Sequence, residues 1–496
     1  MRLLELYISN FKSLGEIRLT DLGALNLVVG YNGHGKTNLL SGIFTLVRNL
    51  GSGIDKKIID DPDGQYVLLW RDYDISRPLY FGGRVMFSED EAAKVVGRRQ
   101  KYVIDVLNRV DYDRKTISWK LEKLLVNGQP PDSDSMKEVK ALFNYASNLV
   151  EYVPIYDAGY FDEVLKRIVD LNKSPMHLKR LWYDFVNLVS STIPEVRGLE
   201  IWDGNKLVLN VQNIPVYIDL AASGFQRVIL MLFILWISGN KVMLIEEPEV
   251  NMHPSLQTRV AKLIKKWSMN SNFQVFITTH SPYFLSSTQV DSIVVMRKMN
   301  GVSEAVSVNN SEELRLVLSL LRVRLEQLVF SKLVILTGPQ VEPVVLLNWL
   351  RRQGVQVDEL GISAFKVAND YELGLWKRVL STMNLNAIYV GLCDMLPYNE
   401  RETCVPFSRN VEDYFNKTLV PEVLKKLGIN LEEKEIKELM KSDVSSWLEN
   451  VTRKRGVDYE KIRESLGDLM SMTDTLEMPK EVEILTNKIK SLQEII

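Results

Sequence analysis

Cysteine is almost missing from this chain of 496 residues, which holds only Cys393 and Cys404. Two are too few for a disulfide framework, so stability has to come from an apolar core, and the scarcity suits a reducing compartment. Long apolar runs are missing too. The longest, "VILMLFILWI" at 228–237, is too short to span a bilayer. The charge-broken opening "MRLLELYISNFKSL" is no signal peptide. The expectation is a cytoplasmic protein without a membrane partner. No charge of one sign dominates: the net charge is −2, so contact with DNA would have to come from local patches. Repeats and low-complexity tracts are absent as well. What remains is 46% hydrophobic and 25% charged, the composition of an ordinary globular protein long enough for two or three domains.

Against that plain background, residues 30–38 read "GYNGHGKTN" and match G-x-x-x-x-G-K-[ST] at Gly30, Gly35, Lys36 and Thr37. An apolar run, "ALNLVV", precedes the loop and a helically spaced "LLSGIFTLV" follows it. Strand, glycine-rich turn and helix start form a phosphate cradle, because backbone N–H groups and the helix dipole converge on an anion. ATP and Mg²⁺ are the implied ligands. Asn32, Gly33, Gly35 and Asn38 would line the loop, Lys36 would reach the β- and γ-phosphates, and the Thr37 hydroxyl would sit on Mg²⁺.

Other segments supply the chemistry that such a cradle needs. In "KVMLIEEPEVNMHP" (241–254) an apolar strand ends in two carboxylates. Glu246 would lie in the Mg²⁺ shell, and Glu247 would polarise the attacking water. "FQVFITTHSP" (273–282) brings His280 to the carboxyl edge of the sheet, where it could meet the γ-phosphate or that water. Of the four histidines, His34, His253 and His280 fall within these motifs and His177 does not. In "AASGFQRV" (221–228) Ser223 and Gly224, with Gln226, open a helix. "YISNFKSLGEIRL" (7–19) carries Lys12 on a first turn.

Together these residues resemble ABC-type ATPase heads, as found in DNA-repair and chromosome-maintenance proteins and in the overcoming-lysogenization-defect (OLD) family. "IEEPEVNMHP" is similar to the OLD form, with Met252 where Leu is usual. The resemblance implies that Ser223, Gly224 and Gln226 act on the γ-phosphate of a neighbouring subunit, and that Lys12 approaches the nucleotide. It also implies a homodimer or higher oligomer, DNA as a partner, a possible effector protein and a role in antiviral defence. About 180 residues separate the loop from the Ser223 helix, too few for a long coiled-coil arm.

OLD proteins often carry a Toprim domain, and "KLVILTGPQVEPVVLL" is similar to its first half. Gly338 is kept, but Thr337 and Val341 stand where metal-binding glutamates belong, and Glu342 comes one residue late. In "NAIYVGLCDMLPYN" Asp394 is kept and Leu396 replaces its partner carboxylate, while "RNVEDYF" retains Glu412. A two-metal site needs clustered carboxylates, so a nuclease-silent scaffold is expected.

The expected architecture is α/β: an ATPase head in two lobes (1–98 and 193–311) around a helical dimerisation insertion (99–192). A linker helix (312–330), a degenerate Toprim-like domain (331–416) and a helical C-terminal region (417–496) follow. An ATP-driven switch is the leading reading. An ATP-regulated DNA endonuclease with a non-standard metal site and a non-catalytic ATP-binding scaffold stay open beside it.

Overall fold

Alternating burial shapes the first two strands, β1 (Arg2–Ser9) and β2 (Glu16–Leu19), whereas every residue of β3 (Leu25–Val29) is buried. The computed structural model describes residues 1–496 except 238–240, 271–272, 288–291, 309–316, 322, 408, 472–477 and 494–496. It divides into two compact units, Met1–Glu312 and Glu313–Ile496.

After β3 the first unit continues with α1 (Lys36–Arg48), β4 (Ile58–Asp60), β5 (Leu79–Phe87), α2 (Glu89–Val96), β6 (Tyr102–Asp113) and β7 (Thr116–Val126). Next come α3 (Ser133–Ser147), β8 (Val150–Val153), α4 (Ala158–Asn172), α5 (Lys179–Thr192), β9 (Val196–Trp202), β10 (Lys206–Val211) and β11 (Ile214–Tyr217). The unit closes with α6 (Ser223–Ile237), β12 (Val242–Glu246), α7 (Pro254–Asn270), β13 (Gln274–Thr279), α8 (Pro282–Ser287), β14 (Ser292–Met299) and β15 (Val302–Val308).

Two six-stranded sheets organise it. One is antiparallel, in the order β2-β1-β5-β6-β7-β4; the other runs β15-β14-β3-β13-β12-β8, with only the β14–β15 pair antiparallel. Every residue of β3, β12 and β13 is buried, which reflects cover on both faces, the usual state of a parallel sheet. Leu39, Ile43 and Leu46 of α1 join Val28, Leu244 and Phe276 of that sheet in one core. The Gln274 amide ties the first strand to this sheet through the Leu3 backbone, accepting from its N–H at 2.9 Å and donating to its carbonyl at 2.8 Å. α6 is buried almost all round from Val228 to Leu235. Among the described residues no helix is long and apolar enough to cross a membrane.

The second unit is built on a parallel sheet of β16 (Leu333–Thr337), β17 (Ile362–Lys366), β18 (Asn386–Val390) and β19 (Cys404–Val405), ordered β17-β16-β18-β19. Its core mixes Ile335, Trp349 and Ile388 with Leu424, Leu448, Leu466 and Leu485. Leu424, Leu448, Leu466 and Leu485, from the region expected to be a helical tail, are therefore part of this unit's core.

Four expectations need correction. Residues 102–126 are the hairpin β6–β7, so the 99–192 segment is not helical throughout; "KYVIDVLNRV" carries spacing that suits either period, and pairing with β5 and β7 decides for the strand. "QYVLLW" is a 3₁₀ turn over Gln65–Leu69 followed by Trp70, not a strand. The helix expected across 312–330 is interrupted: Arg324 has an extended backbone and a separate short helix spans Leu325–Val329, while 312–316 lie outside the described residues. Finally, Cys393 and Cys404 form a disulfide, their Cα atoms 5.6 Å apart, because the chain turns back between β18 and β19.

Candidate functional site

The loop before α1 needs glycine where it touches the neighbouring strand. Gly30 has φ 148°, and a β-carbon there would stand 2.4 Å from the Met296 carbonyl oxygen of β14. That same carbonyl lies 3.2 Å from His34 Nδ1, so the loop is pinned at both ends. Between loop and sheet edge is a cleft of about 400 Å³ lined by Ser13, Asn32, Gly33, Gly35, Lys36, Thr37, Asn38, Glu247 and Lys298. Seven of these residues carry the motifs read from the sequence. Ser13 falls in the 7–19 segment without having been singled out, and Lys298 belongs to none of them.

Lys36 is buried, and its Nζ donates to the carbonyls of Gly30 and Tyr31, each at 3.1 Å. Its third partner is His280 Nε2 at 2.7 Å. An ammonium can only donate, so Nε2 accepts and the imidazole is neutral, with its proton on Nδ1. Burial first, and the Lys36 charge second, hold the His280 pKa below its ordinary value. Glu247 Oε1 lies 3.3 Å from the same nitrogen. Burial also lowers the Lys36 pKa, with Glu247 and Glu249 opposing it.

The carboxylates are set by their backbone. Glu247 adopts φ 37° as the chain leaves β12, a strained value for a residue with a β-carbon. Its N–H is held by the Thr278 carbonyl at 3.0 Å, and Arg227 Nη2 donates to its carbonyl at 3.2 Å and to that of Glu246 at 2.7 Å. Arg227 also binds the Ile155 carbonyl. Sequence reading missed this role, although one charge in so apolar a helix was a signal. Glu249 Oε1 accepts from the Thr279 hydroxyl and the His280 N–H, both at 2.7 Å, and so fixes the histidine's backbone. Burial raises the Glu249 pKa.

Glu246 is buried and its Oε1 has no hydrogen-bond partner among the described residues. Its unpartnered oxygen and the exposed Thr37 hydroxyl, which lines the cleft, are oxygen donors of the kind that suits Mg²⁺ carried in on phosphates. Lys12 takes another course: its Nζ donates to Ser41 Oγ at 2.9 Å and it does not line the cleft. Ser223 is exposed and also lies outside that lining, while Gln226 Nε2 donates to the Ala221 carbonyl at 2.9 Å. Gly224 is required by contact, since a β-carbon there would stand 2.4 Å from the Asn251 carbonyl oxygen in the loop after Glu247. His253 is exposed and bonds Ser255 at 3.0 Å.

In the second unit, register places Thr337 between Lys366 and Val390 at the carboxyl edge of the sheet. Thr337 and Val341 are fully buried, Leu396 is buried and Asp394 is exposed on a turn. A β-carbon on Gly338 would stand 2.4 Å from the Gly391 carbonyl oxygen. The acids are neutralised from within. Glu342 meets Lys366 at 2.7 Å and Arg463 at 3.3 Å, and Arg463 pairs with the fully buried Glu412 and donates to the Pro339 carbonyl at 2.7 Å. Neither Lys366 nor Arg463 was singled out by sequence reading.

Residues 140–285 match a family described as AAA ATPase domain. With the loop and cleft described above, the chain carries a P-loop ATPase domain. Over 177 residues it is 22% identical to an uncharacterized protein of Methanocaldococcus jannaschii, a match covering 35% of this chain and 22% of that protein's length. Among solved structures, an SMC head domain from Thermotoga maritima is 15% identical, with 62% of this chain and 98% of that one covered and a TM-score of 0.37. An Smc head with an extended coiled coil, bound to the C-terminal domain of ScpA derived from Pyrococcus furiosus, is 14% identical over 64% and 99% of the two chains, with a TM-score of 0.40.

Proposed function

We propose that this chain is an ATP-driven switch: an ABC-type ATPase, cytoplasmic, working as a homodimer or higher oligomer on DNA, with a Toprim-like second unit that does not cut. The observation that carries it is His280 standing between Lys36, at 2.7 Å, and Glu247, at 3.3 Å, at the mouth of a phosphate loop. On ATP binding Lys36 exchanges two carbonyls for phosphate oxygens, and the neutral His280 keeps Nε2 as an acceptor for the Lys36 ammonium or for an O–H of the attacking water. Glu247 orients and deprotonates water. Thr37 and Glu246 would hold Mg²⁺, which neutralises charge on the phosphates.

Ser223 and Gly224 serve the γ-phosphate of a neighbouring subunit, a reading supported by the exposure of Ser223 away from its own cleft. The pairing of Glu342 and Glu412 with Arg463 supports a silent Toprim-like unit, since these acids already hold a cation. Action on DNA, an effector partner and antiviral defence rest on the OLD resemblance.

The test is ATP hydrolysis with and without duplex DNA, run beside nicking of supercoiled plasmid in Mg²⁺ or Mn²⁺. Expected are hydrolysis that responds to DNA and no nicking. Strong nicking abolished by Asp394→Ala would establish the endonuclease reading. Binding without turnover would leave a scaffold.

A further inference from the structure

We propose that Lys298 is a second nucleotide-binding cation in the cleft, and that it holds the α-phosphate end of the bound nucleotide. The inference rests on the ATPase reading above and adds a residue outside its motifs.

Placement comes from the sheet. β14 runs parallel to β3 with Val295 opposite Val29, so it emerges beside Gly30 as the phosphate loop begins. Three residues past Val295, Lys298 pairs with Ser303 on β15. Ser303 Oγ is 2.8 Å from Ser13 Oγ, which accepts from Asn38 Nδ2 at 2.8 Å. A β-carbon on Gly35 would stand 2.6 Å from Ser303 Oγ. The β14–β15 hairpin is therefore one wall of the cleft and lies along Gly35–Asn38. His280 and Glu247 belong to the other side, with the Lys36 amine.

This division orders the phosphates. Lys36 of such a loop serves the β- and γ-phosphates, while the helix start cradles the α and β groups. The wall holding Asn38, Ser13 and Lys298 thus borders the α-phosphate end. Lys298 is exposed and has no ion pair among the described residues, yet it lines the cleft. Lys36 is committed to the far end, and Lys12 is turned to Ser41. Lys298 is the cation left for the phosphate nearest the nucleoside.

The experiment measures Mg·ATP and Mg·ADP affinity by calorimetry on the full chain, for wild type, Lys298→Ala and Lys298→Arg. A charge-assisted contact to the α-phosphate is shared by both nucleotides, so Lys298→Ala should weaken ATP and ADP alike by about 10-fold, and Arg should restore most of it. Unchanged melting would show that the surface substitution leaves the fold intact. Loss of ATP affinity with ADP unaffected would move the lysine to the γ-phosphate and overturn the assignment. Unchanged affinity for both would overturn the contact itself. Wild-type protein that binds neither nucleotide would sink the ATPase reading, and this inference with it.

Discussion

Replacing Arg463 by methionine should destabilise the second unit by about 3–5 kcal/mol, the usual cost of leaving a buried charge without its partner. Arg463 is 4% exposed and Glu412 0%, so water cannot take over from the guanidinium. Glu342 keeps Lys366 at 2.7 Å, which concentrates the loss on Glu412. The Pro339 carbonyl also loses its 2.7 Å donor, which pushes the effect toward the upper end of the range. The assay is urea unfolding followed by circular dichroism. Because the chain has two units, the transition that shifts is fitted by itself. Glu412→Gln in the Arg463→Met background should recover at least about 2 kcal/mol, since the amide removes the unpaired charge. Two substitutions that add within about 0.5 kcal/mol would refute the reasoning, because residues in a buried ion pair cannot be independent.

Glu247→Gln should slow ATP hydrolysis on the order of 10²–10⁴-fold while binding stays near wild type, read from turnover and calorimetry; normal turnover would move the base elsewhere. Mixing Ser223→Arg with Lys36→Ala subunits should restore partial ATPase activity, because one composite site of the heterodimer carries both lesions and the other neither. No recovery at any ratio would argue against sites built in trans. His280 resists protonation in the folded state, its pKa held below 6.5, so unfolded chains bind more protons and stability should fall as pH drops through about 6.5. The raised pKa of Glu249 acts in the opposite direction but is shared by a His280→Gln variant, whose melting temperature should therefore fall less between pH 7.5 and 5.5.

How much was legible in the chain follows from how local each feature is. The phosphate loop, the buried strands and the Glu246-Glu247 pair are encoded within a few residues each, by glycine where the loop touches β14 and by short, mostly apolar runs. Sequence alone determined that Lys36, Thr37 and Glu247 would face one cleft. It misread 102–110 as helical, because Val103, Ile104, Val106, Leu107 and Val110 fit both periods and only pairing with β5 selects the strand. Cations were hardest to place. Lys12, on a motif, turned away to Ser41, while Lys298, on no motif, entered the cleft. Arg463 lies 51 residues from Glu412 and Arg227 lies 20 from Glu247, and although Arg227 stands out as the one charge of α6, nothing nearby in sequence says what either arginine pairs with. A buried charge is tolerable only where the fold delivers its counterpart, and that delivery is a property of tertiary structure.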